Sequence, residues 1–317
     1  MVLSAPTYQY SIATPGCIHG PSGPYLLSGK TAGMSAHILY SGSEIHYKIA
    51  GAGSAVVLLH GFGEDSSIWS NQVEHLKDNF KLIIPDLPGS GRSEKIQINR
   101  PSSPESDPEI ANTSEIPNEV TLETYAAIIK KILEKENIAR CVMIGHSMGG
   151  YITLAFAEMY PHTLQGLGLF HSSAYADTTD KITTRLKAIE FIKENGVAAF
   201  FNTSIPTLFG ALFKDQHPGK IDQLVKASRG FEPEVIIQYY NAMIQRPDRI
   251  HILQAFNKPV FFIIGEQDSA IPLQSSLKQC HIPAVSFITI LANVGHMGMW
   301  EEPVRCNNSI QLFLRNC

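Results

Sequence analysis

Six short apolar runs place the strongest constraint on how this 317-residue chain can fold. They are AVVLLHG, FKLIIPDLPG, RCVMIGHS, LQGLGLFHS, PVFFIIGEQD and VSFITILANVGH, and each ends in Gly, Pro, His, Asp or Ser. Such runs, when segments with a helical pattern separate them, indicate parallel strands that are buried on both faces. We therefore predict an α/β protein with a doubly wound, mostly parallel sheet, whose ligands bind beyond the carboxyl ends of the strands.

Helical patterns follow several of these runs. TLETYAAIIKKILEKEN carries its apolar residues on one stripe, and Thr121 is its predicted N-cap. GYITLAFAEMY follows the third run and stops at Pro161, and VRCNNSIQLFLRN closes the chain as a further predicted helix. Upstream of the first run, HILYSGSEIHYKIAG predicts a β-hairpin.

Three segments depart from this alternation. Residues 1–35 are rich in Gly, Ser, Pro and Tyr, which predicts a poorly ordered N-terminal extension. Residues 94–120 contain four prolines and many serines, which predicts a long inserted loop. Residues 174–252 show several helical patterns and no strand, so we expect a helical cap inserted between the two parts of the core, 36–173 and 253–317.

The pentapeptide Gly145-His146-Ser147-Met148-Gly149 lies between the third apolar run and the helix that follows it. It fits the pattern G-x-S-x-G, in which the serine occupies a strained strand-to-helix turn and the glycines make room for the backbone. A chance match in an ordinary glycine-containing turn would satisfy the bare pattern. Its place between a strand and a helix is far more specific, and it predicts that Ser147 is a nucleophile.

A serine hydroxyl is a weak nucleophile unless a base activates it, and the base needs an orienting carboxylate. The chain order for this arrangement is serine, then Asp or Glu, then His. Asp268 follows the strand-like run PVFFIIGEQ, and His296 follows FITILANVG. Both side chains are therefore expected over the same sheet edge as Ser147, with His296 as the base and Asp268 as the acid.

Other residues compete for these roles. His171 also follows a predicted strand, but it precedes the acid and would invert the chain order. Asp177 lies several residues into the predicted cap, and Glu266 lies closer to the strand than Asp268 does. We expect Asp86, in PDLPGSGRS, to shape a turn and to be structural.

An oxyanion formed at Ser147 needs backbone donors, and one of them should come from an earlier strand-to-helix loop. His60-Gly61-Phe62-Gly63 follows the first apolar run directly. The backbone N–H groups of Phe62 and Met148 are the predicted donor pair.

Together the segments HGFG, DLPGSGRS, GHSMGG, GEQDSAIP and GHMGMWEEP resemble the α/β-hydrolase fold, in the branch with a helical cap. The resemblance covers roughly residues 36–316, except the 94–120 insertion, and matches the cap only loosely. It implies that Ser147 is the nucleophile, that His296 and Asp268 complete the triad, and that Phe62 and Met148 donate to the oxyanion. Epoxide hydrolases and haloalkane dehalogenases of the family use Asp as nucleophile, so serine at position 147 argues against both.

The predicted function is that of a serine hydrolase, without cofactor or metal, that cleaves carboxylic esters of small or medium, mostly apolar acyl compounds. A thioesterase, lactonase, peptidase, carbon–carbon bond hydrolase or perhydrolase would use the same triad. A ligand-binding receptor with slow or no turnover is an alternative of another class, because fold alone does not exclude it.

Composition excludes several kinds of partner. The net charge is −4 and no block of Lys and Arg occurs, which disfavours nucleic acid and anionic membrane surfaces as partners. No apolar run approaches the roughly 18 residues that a membrane-spanning helix needs. Five scattered cysteines without a CxxC pair favour reduced thiols, and the first residues do not have the pattern of a secretory signal. We therefore expect a cytoplasmic protein with a small-molecule substrate, of undetermined oligomeric state.

Overall fold

The computed structural model describes residues 7–10, 33–97 and 119–317. Within these ranges the strands form a single sheet. They are β1 (Thr7–Tyr10), β2 (Met34–Tyr40), β3 (Ser43–Ala50), β4 (Ser54–Leu59), β5 (Phe80–Pro85), β6 (Cys141–His146), β7 (Leu164–Phe170), β8 (Val260–Gly265) and β9 (Val285–Leu291).

The sheet has the strand order β1-β9-β8-β7-β6-β4-β5-β3-β2. Pairing is antiparallel where β3 meets β2 and β5, and parallel at every other neighbouring pair. The six predicted runs are β4 to β9, so the prediction of a doubly wound, mostly parallel sheet is confirmed. From β4 the chain goes to β5 on one side and later to β6 on the other. This reversal of strand order opens a crevice at the carboxyl ends of β4 and β6, where such sheets bind ligands.

Helices flank the sheet and fill the insertion between β7 and β8. They are α1 (Ser70–Leu76), α2 (Leu122–Lys135), α3 (Met148–Met159), α4 (Thr179–Ser204), α5 (Ala211–Gln216), α6 (Pro218–Ser228), α7 (Pro233–Gln245), α8 (Ile250–Ala255), α9 (Leu273–Gln279), α10 (Gly298–Glu301) and α11 (Pro303–Leu314). Thr121 caps α2 as predicted, because its side chain accepts from the N–H of Thr124. Helix α3 ends at Met159, before Pro161.

The inserted helical cap consists of α4 to α8, with no strand between β7 and β8. Its last helix ends at Ala255, three residues beyond the boundary expected at residue 252. Among the hydrogen bonds that join the cap to the core, the Tyr239 hydroxyl donates to the carbonyl of Pro88, and the Ser228 hydroxyl donates to the carbonyl of Gly63. These contacts hold the cap against the loops that follow β4 and β5.

Two of the expected segments fall mainly outside the described residues. Of the extension expected at residues 1–35, the structure describes Thr7–Tyr10 and residues 33–35. Thr7–Tyr10 is strand β1, paired in parallel with β9 so that Thr7 lies opposite Val285. Of the loop expected at residues 94–120, only residues 94–97 and 119–120 are described.

The cysteines and the helices bear on the expectations of reduced thiols and of no membrane-spanning helix. Cys141, Cys280, Cys306 and Cys317 are all free thiols, and the first three are buried. Among the described helices, none combines the length and the apolar character that crossing a membrane would require.

Candidate active site

Ser147 lies at the junction of β6 and α3 with a backbone φ of 50° and ψ of −115°. Residues other than glycine rarely adopt a positive φ. The backbone of Ser147 is therefore strained, and its surroundings must hold it in this conformation. The N–H of Ser147 donates to the carbonyl of Phe170, at 2.9 Å, and its own carbonyl accepts from the hydroxyl of Ser172, at 2.7 Å. Strand β7 and the loop after it therefore hold the turn in place.

The glycines on both sides of Ser147 are required by close backbone contacts. A Cβ atom on Gly145 would lie 2.1 Å from the carbonyl oxygen of Gly149. A Cβ atom on Gly149 would lie 2.5 Å from the carbonyl oxygen of Leu59 and 2.6 Å from that of His60. The G-x-S-x-G spacing thus lets the first turn of α3 touch the end of β4.

The carboxylate of Asp268 accepts hydrogen bonds at both oxygens. Its Oδ1 accepts from the backbone N–H groups of Ala270 and Ile271, and its Oδ2 lies 2.8 Å from Nδ1 of His296 and 3.1 Å from Nδ1 of His171. Burial acts to raise the pKa of Asp268, but His296, His171 and these hydrogen bonds outweigh it and hold the pKa well below its usual value. Because an ionised carboxylate only accepts, both histidines carry a proton on Nδ1.

Strand order explains why these groups meet. Ser147, His171, Asp268 and His296 follow β6, β7, β8 and β9, which are consecutive neighbours in the sheet. His296 lines the same cavity as Ser147, whereas His171 is buried and is not among the residues that line it. The geometry therefore favours His296 over His171 as the group that reaches the substrate.

The sequence offers His171 only as a rival base and does not predict its contact with Asp268. Burial lowers the pKa of His171 to about 4, so the ring is neutral at physiological pH. A neutral ring with its proton on Nδ1 donates to Asp268 through that nitrogen. Its Nε2 is then unprotonated, and this atom has no hydrogen-bond partner within the described residues.

A second buried pair, also not predicted, lies beneath His296. Nδ1 of His146 is 2.9 Å from Oε2 of Glu64, and its Nε2 is 3.0 Å from the carbonyl oxygen of His296. Both ring nitrogens face acceptors, so both must donate and His146 is protonated. Burial acts to lower the pKa of His146, but the Glu64 carboxylate and the carbonyl of His296 raise it overall. In turn, His146 and the N–H of Gly61 offset the effect of burial and lower the pKa of Glu64.

The rival acids have other partners. The Glu266 carboxylate is exposed and accepts from the N–H of Asn293, at 3.0 Å. Asp177 is held by Arg185 and Arg246 in the cap. Among the residues that the structure describes, no histidine is bonded to either rival. Asp86 accepts from backbone N–H groups of the turns around it, as expected of a structural residue.

The two expected oxyanion donors lie on the loops that Gly149 brings into contact. Phe62 follows β4, and Met148 is the first residue of α3. No hydrogen bond within the described residues uses either backbone N–H. The Ser147 hydroxyl likewise has no hydrogen bond within the described part of the chain, and catalytic contacts of this kind often tighten only when substrate binds.

A cavity of about 520 Å³ lies over Ser147. The core contributes Phe62, Ser147 and His296 to its lining, and the cap contributes apolar residues that include Phe200 and Tyr240. Its volume is that of a pocket for a small or medium-sized ligand.

Three potential metal ligands come together at His171, Asp268 and His296, whose ligand atoms all lie within 4.8 Å of one another. Both histidines direct a protonated Nδ1 at the same carboxylate oxygen. Hydrogen bonding therefore accounts for the closeness of these atoms without an ion.

Comparison with known proteins identifies the family of this chain. A model of the alpha/beta hydrolase fold matches residues 54–217. A thermophilic esterase from Thermogutta terrifontis, solved with malate bound, has a TM-score of 0.77 at 26% identity, over 89% of this chain and 98% of that protein. A 2-hydroxy-6-oxononadienedioate/2-hydroxy-6-oxononatrienedioate hydrolase of Paraburkholderia phymatum is 25% identical over 88% of this chain and 94% of its own. Karrikin insensitive 2 receptor CA of Petunia hybrida is 24% identical over 81% of this chain and 90% of its own.

Proposed function

Because the chain belongs to the alpha/beta hydrolase fold family, we propose that it is a serine hydrolase that cleaves carboxylic esters of small or medium, mostly apolar acyl compounds. One observation carries the proposal. His296 is bonded through Nδ1 to the buried Asp268, and its ring lines the same cavity as Ser147, which sits on a strained turn. A strained, cavity-lining serine beside a carboxylate-bound histidine is the arrangement that nucleophilic acyl transfer needs.

The proposed reaction begins when the Ser147 oxygen attacks the ester carbonyl carbon and His296 takes the hydroxyl proton at Nε2. Asp268 holds the imidazole in the required tautomer and stabilises the imidazolium that forms. The N–H groups of Phe62 and Met148 donate to the oxyanion. His296 then protonates the departing alkoxide, which leaves an acyl group on Ser147. Water, deprotonated by His296, attacks this acyl-enzyme, and the acid is released as the proton returns to Ser147.

Hydrolysis of p-nitrophenyl esters of increasing acyl length tests the proposal. We expect turnover by the wild type, and loss of it by roughly 10⁴-fold or more in Ser147→Ala. Aminoacyl p-nitroanilides assayed in parallel serve as the comparison. A large preference for the anilides would replace the esterase proposal with a peptidase.

The Paraburkholderia relative supports a second candidate, which is carbon–carbon bond hydrolysis. Its name describes a hydrolase of 2-hydroxy-6-oxo-dienedioates, in which the bond to be cleaved is a carbon–carbon bond. The same serine, histidine and carboxylate would serve that reaction. A 2-hydroxy-6-oxo-dienoate substrate, assayed beside p-nitrophenyl esters, separates the two. Faster turnover of the dienoate by orders of magnitude would favour the second candidate.

The Petunia relative, whose name is that of a receptor, supports a third candidate of another class. A receptor with slow turnover would release one equivalent of p-nitrophenol per protein and then stop. Steady-state release over many turnovers is what the hydrolase proposal expects.

We also propose a cytoplasmic location. It is supported by the four described cysteines, which are all free thiols. Fractionation of cells that express the tagged chain tests this directly.

A further inference from the structure

Helix α4 presents two cations to the cavity over Ser147. Lys181, Thr184, Arg185 and Ala188 all line it, and their spacing places them on one face of the helix. The ammonium of Lys181 donates to the carbonyl of Ala270 at 3.0 Å. The Lys181 side chain lines the cavity and keeps 35% of its surface exposed, so this charge is only partly desolvated.

The positive charge at this wall exceeds the negative charge. Lys181, Arg185 and Arg246 share one carboxylate, Asp177, whose side chain is fully buried. Asp177 itself does not line the cavity, and Glu64, the one acid among the described residues that does, is already paired with the protonated His146. Three cations around one carboxylate leave a surplus of positive charge, and charges in a partly desolvated site are costly unless an anion meets them.

Tyr151 adds a neutral donor to the same wall. It lines the cavity, where its hydroxyl can donate a hydrogen bond. The guanidinium carbon of Arg246 lies 3.9 Å from the centroid of its ring. Burial acts to raise the pKa of Tyr151, but Arg246, Lys181 and Arg185 outweigh it and lower the pKa, which reflects the positive potential at this wall.

We propose that Lys181, Arg185 and Tyr151 form a binding site for a carboxylate group of the substrate. The natural substrate is then an ester with an apolar body and one free carboxylate, which lies at the cap while the ester carbonyl lies at Ser147. The inference rests on the proposed ester hydrolysis and narrows its substrate class. Lysine and arginine bind carboxylates through charge-assisted hydrogen bonds, which are stronger than neutral ones.

A purely structural role would explain only part of this cluster. Arg246 is buried and donates to the carbonyls of Met243 and Tyr175 as well as to Asp177, so it ties α7 to the loop before α4. Lys181 differs from Arg246, since its Nζ lies 3.9 Å from Asp177 and makes a single hydrogen bond to the described residues, with the carbonyl of Ala270. A lysine that serves only to neutralise Asp177 has no need to line the cavity.

Matched esters test the inference. Mono-p-nitrophenyl adipate has the acyl length of p-nitrophenyl hexanoate with a carboxylate in place of the terminal methyl, and the suberate and octanoate esters repeat the comparison in a longer chain. Phenyl hexanoate and 4-carboxyphenyl hexanoate place the carboxylate on the alcohol side instead. For each pair the ratio of kcat/KM, acid over neutral, is measured in the wild type, Lys181→Met, Arg185→Met and Lys187→Met. Lys187 is the control, because it lies exposed on the same helix and is not among the residues that line the cavity.

We expect the wild type to favour the carboxylated ester in at least one pair, and Lys181→Met and Arg185→Met each to lower that ratio roughly tenfold. Lys187→Met should leave the ratio as it is. If Arg185→Met does not fold, Lys181→Met alone decides the outcome. A wild type without carboxylate preference in any pair, or a preference that survives in Lys181→Met, overturns the inference and leaves ester hydrolysis standing. If no ester of any pair is hydrolysed, the proposed function fails, and this inference fails with it.

Discussion

Nδ1 of His171 lies 3.1 Å from Oδ2 of Asp268, the oxygen that also accepts from His296. We propose that His171 is a positioning residue, which acts on the proposed base, His296, through the shared carboxylate. Removing one hydrogen bond to a buried charged group costs on the order of 2 kcal/mol. We expect His171→Ala to lower kcat about tenfold or more with little change in KM, and His171→Asn, whose amide can donate to Asp268, to recover part of the loss. Equal losses in both variants, or a change confined to KM, would contradict this role.

The assignment of the acid makes a sharper prediction. Asp268→Asn should leave the fold intact and lower kcat by roughly 10³–10⁴-fold, because the amide no longer fixes the tautomer and charge of His296. Glu266→Gln should have a far smaller effect, since that carboxylate is exposed and its bond within the described part of the chain is to the N–H of Asn293. The two variants are compared in steady-state assays at neutral pH. A severe loss in Glu266→Gln beside near-normal turnover in Asp268→Asn would reverse the assignment.

The buried pair of Glu64 and His146 predicts a pH-dependent contribution to stability. The pKa of Glu64 is lowered from 4.5, so its contribution is present above that pH and is lost as the carboxylate protonates in acid. The pKa of His146 is raised from 6.5, so its contribution is complete below that pH and is lost as pH rises through the raised pKa. The pair therefore stabilises the fold most between about pH 4.5 and 6.5.

Denaturant unfolding of Glu64→Gln at several pH values across and above this range measures how the loss in free energy of unfolding changes with pH. Because the change leaves a buried histidine without its counter-charge, we expect a loss on the order of 3 kcal/mol near pH 6, which shrinks towards alkaline pH. Glu190→Gln is the control, because its pair with Lys193 is exposed and contributes little. A loss that grows with pH would show that His146 is neutral in the folded protein.

The contact between α3 and the end of β4 is tested at Gly149. In Gly149→Ala the new Cβ would lie 2.5 Å from the carbonyl oxygen of Leu59, and backbone there cannot yield cheaply. We expect the shift to separate the N–H groups of Phe62 and Met148, with kcat lowered by about 10²-fold and a lower Tm. Gly219→Ala, which adds a methyl where nothing lies within 4 Å, should keep full activity and an equal or higher Tm. Normal kcat in Gly149→Ala would mean that these two groups are not the oxyanion donors.

The sequence predicted the sheet well because β4 to β9 are buried apolar runs, and burial on both faces leaves a strong signal. It did not predict strand β1, since Thr7–Tyr10 has four residues and its place is set by pairing with β9 at the far end of the chain. Such pairing depends on long-range register, which local patterns do not carry.

At the site, too, the sequence predicts some contacts and not others. Ser147, Asp268 and His296 each follow a recognisable strand, so their meeting at one sheet edge was predictable. His171 also follows a strand and could have been found by the same reasoning, because β7 lies between β6 and β8. The pair of Glu64 and His146 is different, since the loop after β4 and the last residue of β6 bring it together, and no local pattern connects two residues that lie 82 positions apart.

The most direct test of the central claim is intact-mass measurement of the folded protein after treatment with a fluorophosphonate. If Ser147 is the activated nucleophile, one adduct forms per chain, peptide mapping places it on Ser147, and Ser147→Ala forms none. His296→Ala, with the serine intact, should label far more slowly because the base is gone. An unlabelled wild type, an adduct on another residue, or equal labelling rates in the wild type and His296→Ala would contradict the account.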